Sequence, residues 1–265
     1  MLNSIYADNI IPLPREQIAD THNCDVAIIG GGLTGVTAAL HLAEHGYDVV
    51  LLEGGSIGSG GSGRNGGHLC QGWPNDFHHI SKQLNPHDAA LAWQAGMEAV
   101  DIVSTRIKKH KIDCDLQFGY LNAALHPGQM KALLEMQEEW SKRGYTHFTA
   151  LEDSSALAPH INSTAYCGGL YDAGSGQIQP LKYLTGLALA ARKAGAQIFE
   201  ESHVTHIEKG ATKTLHIDGG HQLNANKVLL CGNAYLSQID LTQIGLPEMQ
   251  SRLAKVTSSV LATKP

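Results

Sequence analysis

Cys24-Asp-Val-Ala-Ile-Ile-Gly-Gly-Gly-Leu-Thr-Gly35 begins as a short apolar run with β-branched residues and passes directly into glycine. Bounded in this way, the run reads as a buried strand. An Ala/Leu-rich stretch follows as far as Glu44, and Gly46 stops it as a glycine does just past a helix end. Tyr47-Asp-Val-Val-Leu-Leu-Glu53 is the next buried parallel strand. Strand, glycine turn, helix and strand make a βαβ unit. Gly30, Gly32 and Gly35 stand in GxGxxG spacing on its turn. The first glycine permits the tight turn, the second lets the backbone approach a pyrophosphate, and the third lets the helix pack against the strand. Leu33 and Thr34 then open a helix whose unpaired N–H groups and positive dipole end face the phosphates. Glu53 closes the second strand, where an acid accepts hydrogen bonds from a ribose diol and disfavours a 2'-phosphate. The unit is expected to hold the ADP half of a dinucleotide, and at this point FAD and NAD fit equally.

Composition narrows the remaining classes. The chain has 265 residues, 43% of them hydrophobic and 17% charged, within the globular range and enough for one large core or two modest ones. A net charge of -6 without a local basic patch argues against a nucleic-acid partner. Cys24, Cys70, Cys114, Cys167 and Cys231 are odd in number and lack CxxC spacing, as reduced structural thiols do, which points to a cytoplasmic protein. No apolar run reaches the ~18 residues of a membrane span, and the first twenty-odd residues lack the apolar segment of a signal peptide. Fifteen histidines invite a metal reading. His78 and His79 are adjacent and diverge on any regular element, and neither HExxH nor a Cys/His quartet occurs, so no metal is expected.

Residues 1 to 23 read as an extended arm. Asn85 and Pro86 supply an N-cap and first-turn proline for a helix running towards Lys111, with Ala89, Trp93, Met97, Val100 and Val103 along one stripe. Asp115 to Leu125 alternates as a strand, and Pro127 to Arg143 is an amphipathic helix closed by Gly144. Thr146 to Ala150 and Ala165 to Asp172 are further strand candidates. Pro180 to Gly195 is a helix, followed by short strands at Ala196 to Glu201, Val204 to Glu208, Lys213 to Ile217 and Lys227 to Cys231. The fold expected is α/β: a Rossmann-like domain with a parallel sheet, plus part of an α+β substrate domain with antiparallel strands.

The loop after Glu53 decides between the cofactors. Gly58-Ser-Gly-Gly-Ser-Gly-Arg-Asn-Gly-Gly67 places backbone donors, Ser59, Ser62, Arg64 and Asn65 where they would continue along a pyrophosphate to a second half. With GGGLTG and the acid before it, GGSGRNGG resembles the FAD-dependent amine and amino-acid oxidoreductases, a family that includes glycine oxidase, sarcosine oxidase and D-amino-acid dehydrogenase. Gly63-Arg-Asn-Gly-Gly67 is most similar to the γ-glutamylputrescine oxidoreductase branch. Asp172-Ala-Gly-Ser-Gly-Gln-Ile-Gln-Pro180 resembles the segment before the return into the FAD domain, Glu201-Ser-His-Val204 the strand whose backbone meets the adenine, and Leu229-Leu-Cys-Gly-Asn-Ala-Tyr235 the strand and turn near the pyrophosphate.

The resemblance implies FAD as cofactor and oxidation of a C–N bond in a primary or secondary amine or amino acid, a γ-glutamylputrescine-like amine being favoured, to an imine that hydrolyses. Cofactor contacts are expected from Gly30, Gly32, Leu33, Thr34, Gly35, Glu53, Gly54, Ser62, Gly63, Arg64, Asn65, Gly66, Gly67, His68, Val204, Gly232, Asn233 and Ala234. No residue stands out as a general base. His68 and Gln71 read either as flavin neighbours or as solvent-facing loop residues, and Trp73 either as a substrate wall or as a packed aromatic. The implied organisation is an FAD-binding part over 1–80, an inserted segment over 81–172, a return over 173–240, and the start of an incomplete substrate domain over 241–265. Val260 to Pro265 resembles the middle of that domain, so the chain is expected to be a truncated or split member, completed by a C-terminal piece or by self-association. A non-catalytic dinucleotide-binding protein and an NAD-dependent dehydrogenase are the alternatives.

Overall fold

The computed structural model describes residues 4–7, 10, 13–14, 16–18, 21–74, 76–247 and 249–256. In chain order the elements are β1 (His22–Ile29), α1 (Leu33–Glu44), β2 (Val49–Leu52), β3 (His68–Leu69), α2 (Phe77–Ser81), α3 (Pro86–His110), β4 (Gln117–Ala124), α4 (Pro127–Lys142), β5 (Phe148–Leu151), α5 (Ser154–Leu157), β6 (Gly168–Gln177), α6 (Pro180–Lys193), β7 (Gln197–Phe199), β8 (Val204–Glu208), β9 (Lys213–Ile217), β10 (His221–Leu230) and α7 (Met249–Arg252). Single 3-10 turns occupy Ile5–Ala7, Gly61–Gly63, Asn233–Gln238 and Thr242–Ile244. Two compact units emerge, one of Met1–Gly66, His110–Cys114 and Gln179–Pro265, the other of Gly67–Lys109 and Asp115–Ile178.

The first unit carries a six-stranded sheet in the order β7-β2-β1-β10-β9-β8. The strands from β7 to β10 are mutually parallel, and β8, β9 and β10 form an antiparallel meander. Ile28 and Leu51 are fully buried on the side that receives α1, where Gly35 stands over Ile28. Ala27, Ile29, Val50 and Leu52 look the other way, into a cluster with Ile207, Leu215, Leu223, Leu236, Ile239 and Leu241. That two-sided burial is why β1 and β2 read as continuous apolar runs. Helix α1 ends as its sequence dictates: Gly46 takes φ +82, its N–H donates to Ala43 O at 3.0 Å, and Tyr47 N–H donates to Leu42 O at 3.2 Å. Both bonds of a Schellman motif are present. Helix α6 starts on Gln179, whose Oε1 accepts from Lys182 N–H at 2.7 Å while its Nε2 donates to Tyr6 O at 2.9 Å.

In the second unit β6 is the central strand, antiparallel to β4, to β5 and to β3. Helix α3 begins with reciprocal bonds between Asn85 and Asp88: Asn85 Oδ1 accepts from Asp88 N–H at 3.0 Å, and Asn85 Nδ2 donates to Asp88 Oδ2 at 2.8 Å. Beside β6, the Asp172 carboxylate is 4% exposed and accepts from Tyr145 OH at 2.6 Å, Ser175 OH at 2.5 Å and Gly174 N–H at 2.9 Å. Burial, followed by this partnership with Asp172, pushes the Tyr145 phenol well above its ordinary value.

Several elements differ from the sequence reading. Strand β1 starts at His22, inside the expected arm, because it pairs with β10 from His22↔Leu223 onward. Strand β10 runs ten residues, where only its apolar end, Lys227 to Cys231, stood out. Its first half, His221 to Asn226, is polar on one side and pairs with β9, so its pattern is that of a half-exposed hairpin strand. The units divide after Gly66 and after Ile178 rather than at 80 and 172, since His68 and Leu69 pair with Gln177 and Gly176. Residues 110–114 rejoin the first unit, where Ile112 fills the space over Gly186. The described part of 241–265 also belongs to the first unit, and Val260 to Pro265 lies outside the described residues.

Candidate functional site

In a parallel order of β7-β2-β1-β10, chain direction of travel reverses between β1 and β10, and ligands of open α/β sheets bind at the carboxyl ends of strands at such a reversal. A cleft of about 1150 Å³ lies there, within the first unit. Its floor is the glycine turn after β1. Gly30 has φ +111, and a side chain on it would run into the Cys231 carbonyl, 2.6 Å from the Cβ position. The turn after β1 and the turn after β10 are thus pressed together. A methyl on Gly35 would overlap the Gly30 carbonyl, so the third glycine of the fingerprint sets the approach of α1 to β1.

Glu53 follows β2 and reaches back over that turn. Its Oε2 accepts from Gly31 N–H at 2.6 Å and its Oε1 from Gly55 N–H at 2.8 Å. The carboxylate is therefore fixed before any ligand arrives, and each oxygen keeps a lone pair for a ribose hydroxyl. The backbone beneath is held by β7 and the chain after it: Glu53 N–H donates to Phe199 O at 2.9 Å and Ser202 N–H to Glu53 O at 2.8 Å. Buried Glu200 accepts from Ile57 N–H at 2.6 Å through Oε1, anchoring the glycine-rich loop.

That loop folds over the start of α1. Gly32 caps the helix without a side chain, and the Ser62 hydroxyl fills the role, accepting from Leu33 N–H at 3.0 Å. The Ser62 proton remains available to an anion. Asn65 Nδ2 donates to Ser62 O at 2.9 Å, bracing the turn, and Arg64 donates to Ser59 O. Gly63 packs against the backbone of Gly58 so closely that a Cβ would overlap the Gly58 carbonyl.

Of the residues singled out from sequence, Gly30, Gly32, Leu33, Glu53, Gly54, Ser62, Arg64, Asn65, Val204, Gly232, Asn233 and Ala234 line this cleft. Thr34, Gly35, Gly63 and Gly66 belong to the same unit but not to its lining, and Gly35 and Gly63 act through packing. Gly67 and His68 belong to the second unit, where His68 meets Tyr120 edge-on at 5.5 Å. Gln71 donates its N–H to Ser175 Oγ at 3.0 Å, and the Trp73 indole donates to Ala92 O at 2.9 Å. Sequence reasoning missed Ser4 to Tyr6, Tyr235 and Lys255 in the lining. Lys255 Nζ lies 4.3 Å from the Tyr235 ring centroid. Lys255 stands alone in irregular chain and Tyr235 in a single 3-10 turn, and neither carries a spacing signal.

A glycine turn free of side chains, a helix N-terminus, a pre-positioned carboxylate and two cations, Arg64 and Lys255, fit an anionic dinucleotide. Among the described residues no helix is long and apolar enough to cross a membrane, and all five cysteines are free.

Comparison with known proteins extends this. The chain is 36% identical over 251 residues to gamma-glutamylputrescine oxidoreductase of Escherichia coli, covering 95% of this chain and 57% of that protein. The crystal structure of glycine oxidase from Geobacillus kaustophilus superposes with a TM-score of 0.70 at 26% identity, covering 85% of this chain and 59% of the other. L-Amino acid deaminase from Proteus myxofaciens shares the fold, with a TM-score of 0.68 at 19% identity over 86% of this chain and 49% of that one. The chain thus spans less than two thirds of the length of these relatives. The sequence profile of the FAD-dependent oxidoreductases, whose cofactor is FAD, matches residues 25–265, and the chain belongs to that family.

Proposed function

We propose that this chain holds FAD in the cleft above β1 and β10 and takes part in oxidising the C–N bond of an amine or amino acid, with a γ-glutamylputrescine-like amine favoured. The observation that carries the reading is Glu53, held by Gly31 and Gly55 beside a glycine turn at the strand-order reversal. The likeness to gamma-glutamylputrescine oxidoreductase supports the substrate class.

The chain's own residues bind and orient. The turn Gly30 to Gly32 and the first turn of α1 receive the pyrophosphate, the Ser62 hydroxyl donates to a phosphate oxygen, and Arg64 and Lys255 offset the two negative charges. Glu53 accepts from the adenosine ribose, and the buried Val204 at the start of β8 borders the adenine. Held by these residues, FAD would supply a hydride-equivalent acceptor for the carbon beside nitrogen, and the resulting imine would be hydrolysed by water to a carbonyl compound and an amine or ammonia.

The test is a visible spectrum of the purified chain before and after FAD addition, with unbound flavin removed by gel filtration. Retained flavin is expected. Anaerobic addition of γ-glutamylputrescine, sarcosine, glycine and D-amino acids, to the chain alone and together with a polypeptide supplying the relatives' remaining length, should bleach it, the first most readily. A colourless protein that retains ADP or NAD would overturn the reading.

A further inference from the structure

Away from the glycine turn, β8 and β9 bring together three groups that sequence spacing separates. His206 on β8 lies directly opposite His216 on β9, and Glu208 follows two places along β8, on the same face as His206. The two imidazoles stack at 3.9 Å between centroids with 10° between their planes. One donor atom from each of His206, Glu208 and His216 lies within 4.8 Å of the others.

Polar groups on the neighbouring residues surround these atoms. Thr205 Oγ1 donates to His216 O at 3.2 Å and lies 3.2 Å from His206 Nδ1. An Nδ1–H directed at that hydroxyl would leave His206 Nε2 as the ring's electron-pair donor. His216 Nε2 is closed off from solvent and aligned with no hydrogen-bond partner among the described residues, although Glu208 Oε1 stands 2.9 Å away. The Gln222 amide lies 3.5 Å from His216 Nδ1, and a half-turn of that amide would present its oxygen to an Nδ1–H. Asp240, bridged to His206 through the backbone, brings a second carboxyl group, which accepts from Thr242 N–H at 2.9 Å.

We propose that His206, Glu208 and His216 form a three-ligand site for a divalent transition-metal ion, zinc in the first instance, which clips β8 to β9. Two imidazoles and one carboxylate suit zinc, and the half-exposed Glu208 leaves a fourth position to water. Thr205 and Gln222 serve as outer partners that fix the imidazoles. His206 and His216, ten residues apart on neighbouring strands, form no helical or local ligand motif along the chain, and only the β8–β9 register brings them together.

Zinc would be titrated into chelator-stripped protein in competition with a chromophoric chelator, and cobalt used to report geometry. One ion per chain, tetrahedral cobalt bands and a raised Tm are expected. His206→Ala/His216→Ala should weaken zinc binding by on the order of 100-fold or more and abolish the metal-dependent rise in Tm. Its own Tm and circular dichroism in chelator would show that it folds. His41→Ala/His45→Ala removes the exposed pair whose tilted rings lie 4.3 Å apart at the end of α1 and should leave the first ion bound. Absence of stoichiometric zinc in the parent, or retention by His206→Ala/His216→Ala, would overturn the proposal.

Discussion

Replacing Gly35 with alanine separates what the fingerprint glycines do. The added methyl would overlap the Gly30 carbonyl and stand 3.2 Å from Ile28 Cγ2. Neither obstacle yields by rotating a side chain, because the carbonyl belongs to a turn fixed at φ +111 and pressed against Cys231. Relief requires α1 to lift from β1 by on the order of an ångström, loosening Val36, Ala39 and Leu40. An overpacked core costs about 3 kcal/mol at the upper end of the usual range, while alanine returns up to about 1 kcal/mol in helix propensity. The net loss of about 2 kcal/mol corresponds to a fall in Tm of roughly 4–8 °C for a unit of this size. Gly32→Val acts elsewhere: its Cβ would meet only the Ser62 hydroxyl, at 2.9 Å, so it should abolish FAD retention with a smaller loss of stability. Thermal unfolding and flavin retention, measured on both variants, decide the matter. A Gly35→Ala protein as stable as the parent would refute the packing role, and a Gly32→Val protein that binds FAD normally would refute the phosphate role.

Glu53→Ala removes the ribose acceptor and frees Gly31 and Gly55 N–H; FAD retention, followed by absorbance after gel filtration, should weaken, though less than in Gly32→Val. Tyr145→Phe deprives buried Asp172 of one of its three donors and should destabilise the second unit by about 1–3 kcal/mol in urea unfolding, with the flavin cleft unaffected. Burial, with Asp48 nearby, pushes the Cys24 thiol from its ordinary 9.0 up to about 12. The folded state then holds this proton more tightly than the unfolded chain, so stability falls as pH rises from about 9 towards 12, and Cys24→Ala should flatten that part of a Tm-against-pH curve.

The βαβ unit was legible because each signal in it is local: an apolar run, a glycine that must turn, a glycine that ends a helix, an acid at a strand end. The cleft lining beyond it was legible only where the chain repeats such signals, at Ser62 and at Gly232 to Ala234. Lys255 and Tyr235 enter through tertiary placement. The polar half of β10, though paired with β1 and β9 on its two edges, was hidden because only one of its faces is buried, so it lacks the apolar density of a strand covered on both faces. The pairing of His206 with His216 depends on the register of β8 against β9, which no count of residues along the chain reveals.

The adjacency of β1 and β10 has a consequence for synthesis. His22 pairs with Leu223, so about two hundred residues must be made before β1 acquires its second neighbour. At ribosomal rates of about 5–20 residues per second, this leaves one parallel edge of the nascent cofactor sheet uncovered for roughly ten to forty seconds. The intervening antiparallel unit, whose strands all precede β10, can form during that interval. Production of the protein should therefore depend less on the intrinsic strength of the sheet than on what shields the β1 edge while translation proceeds, and slower elongation between residues 30 and 220 should raise the aggregated fraction.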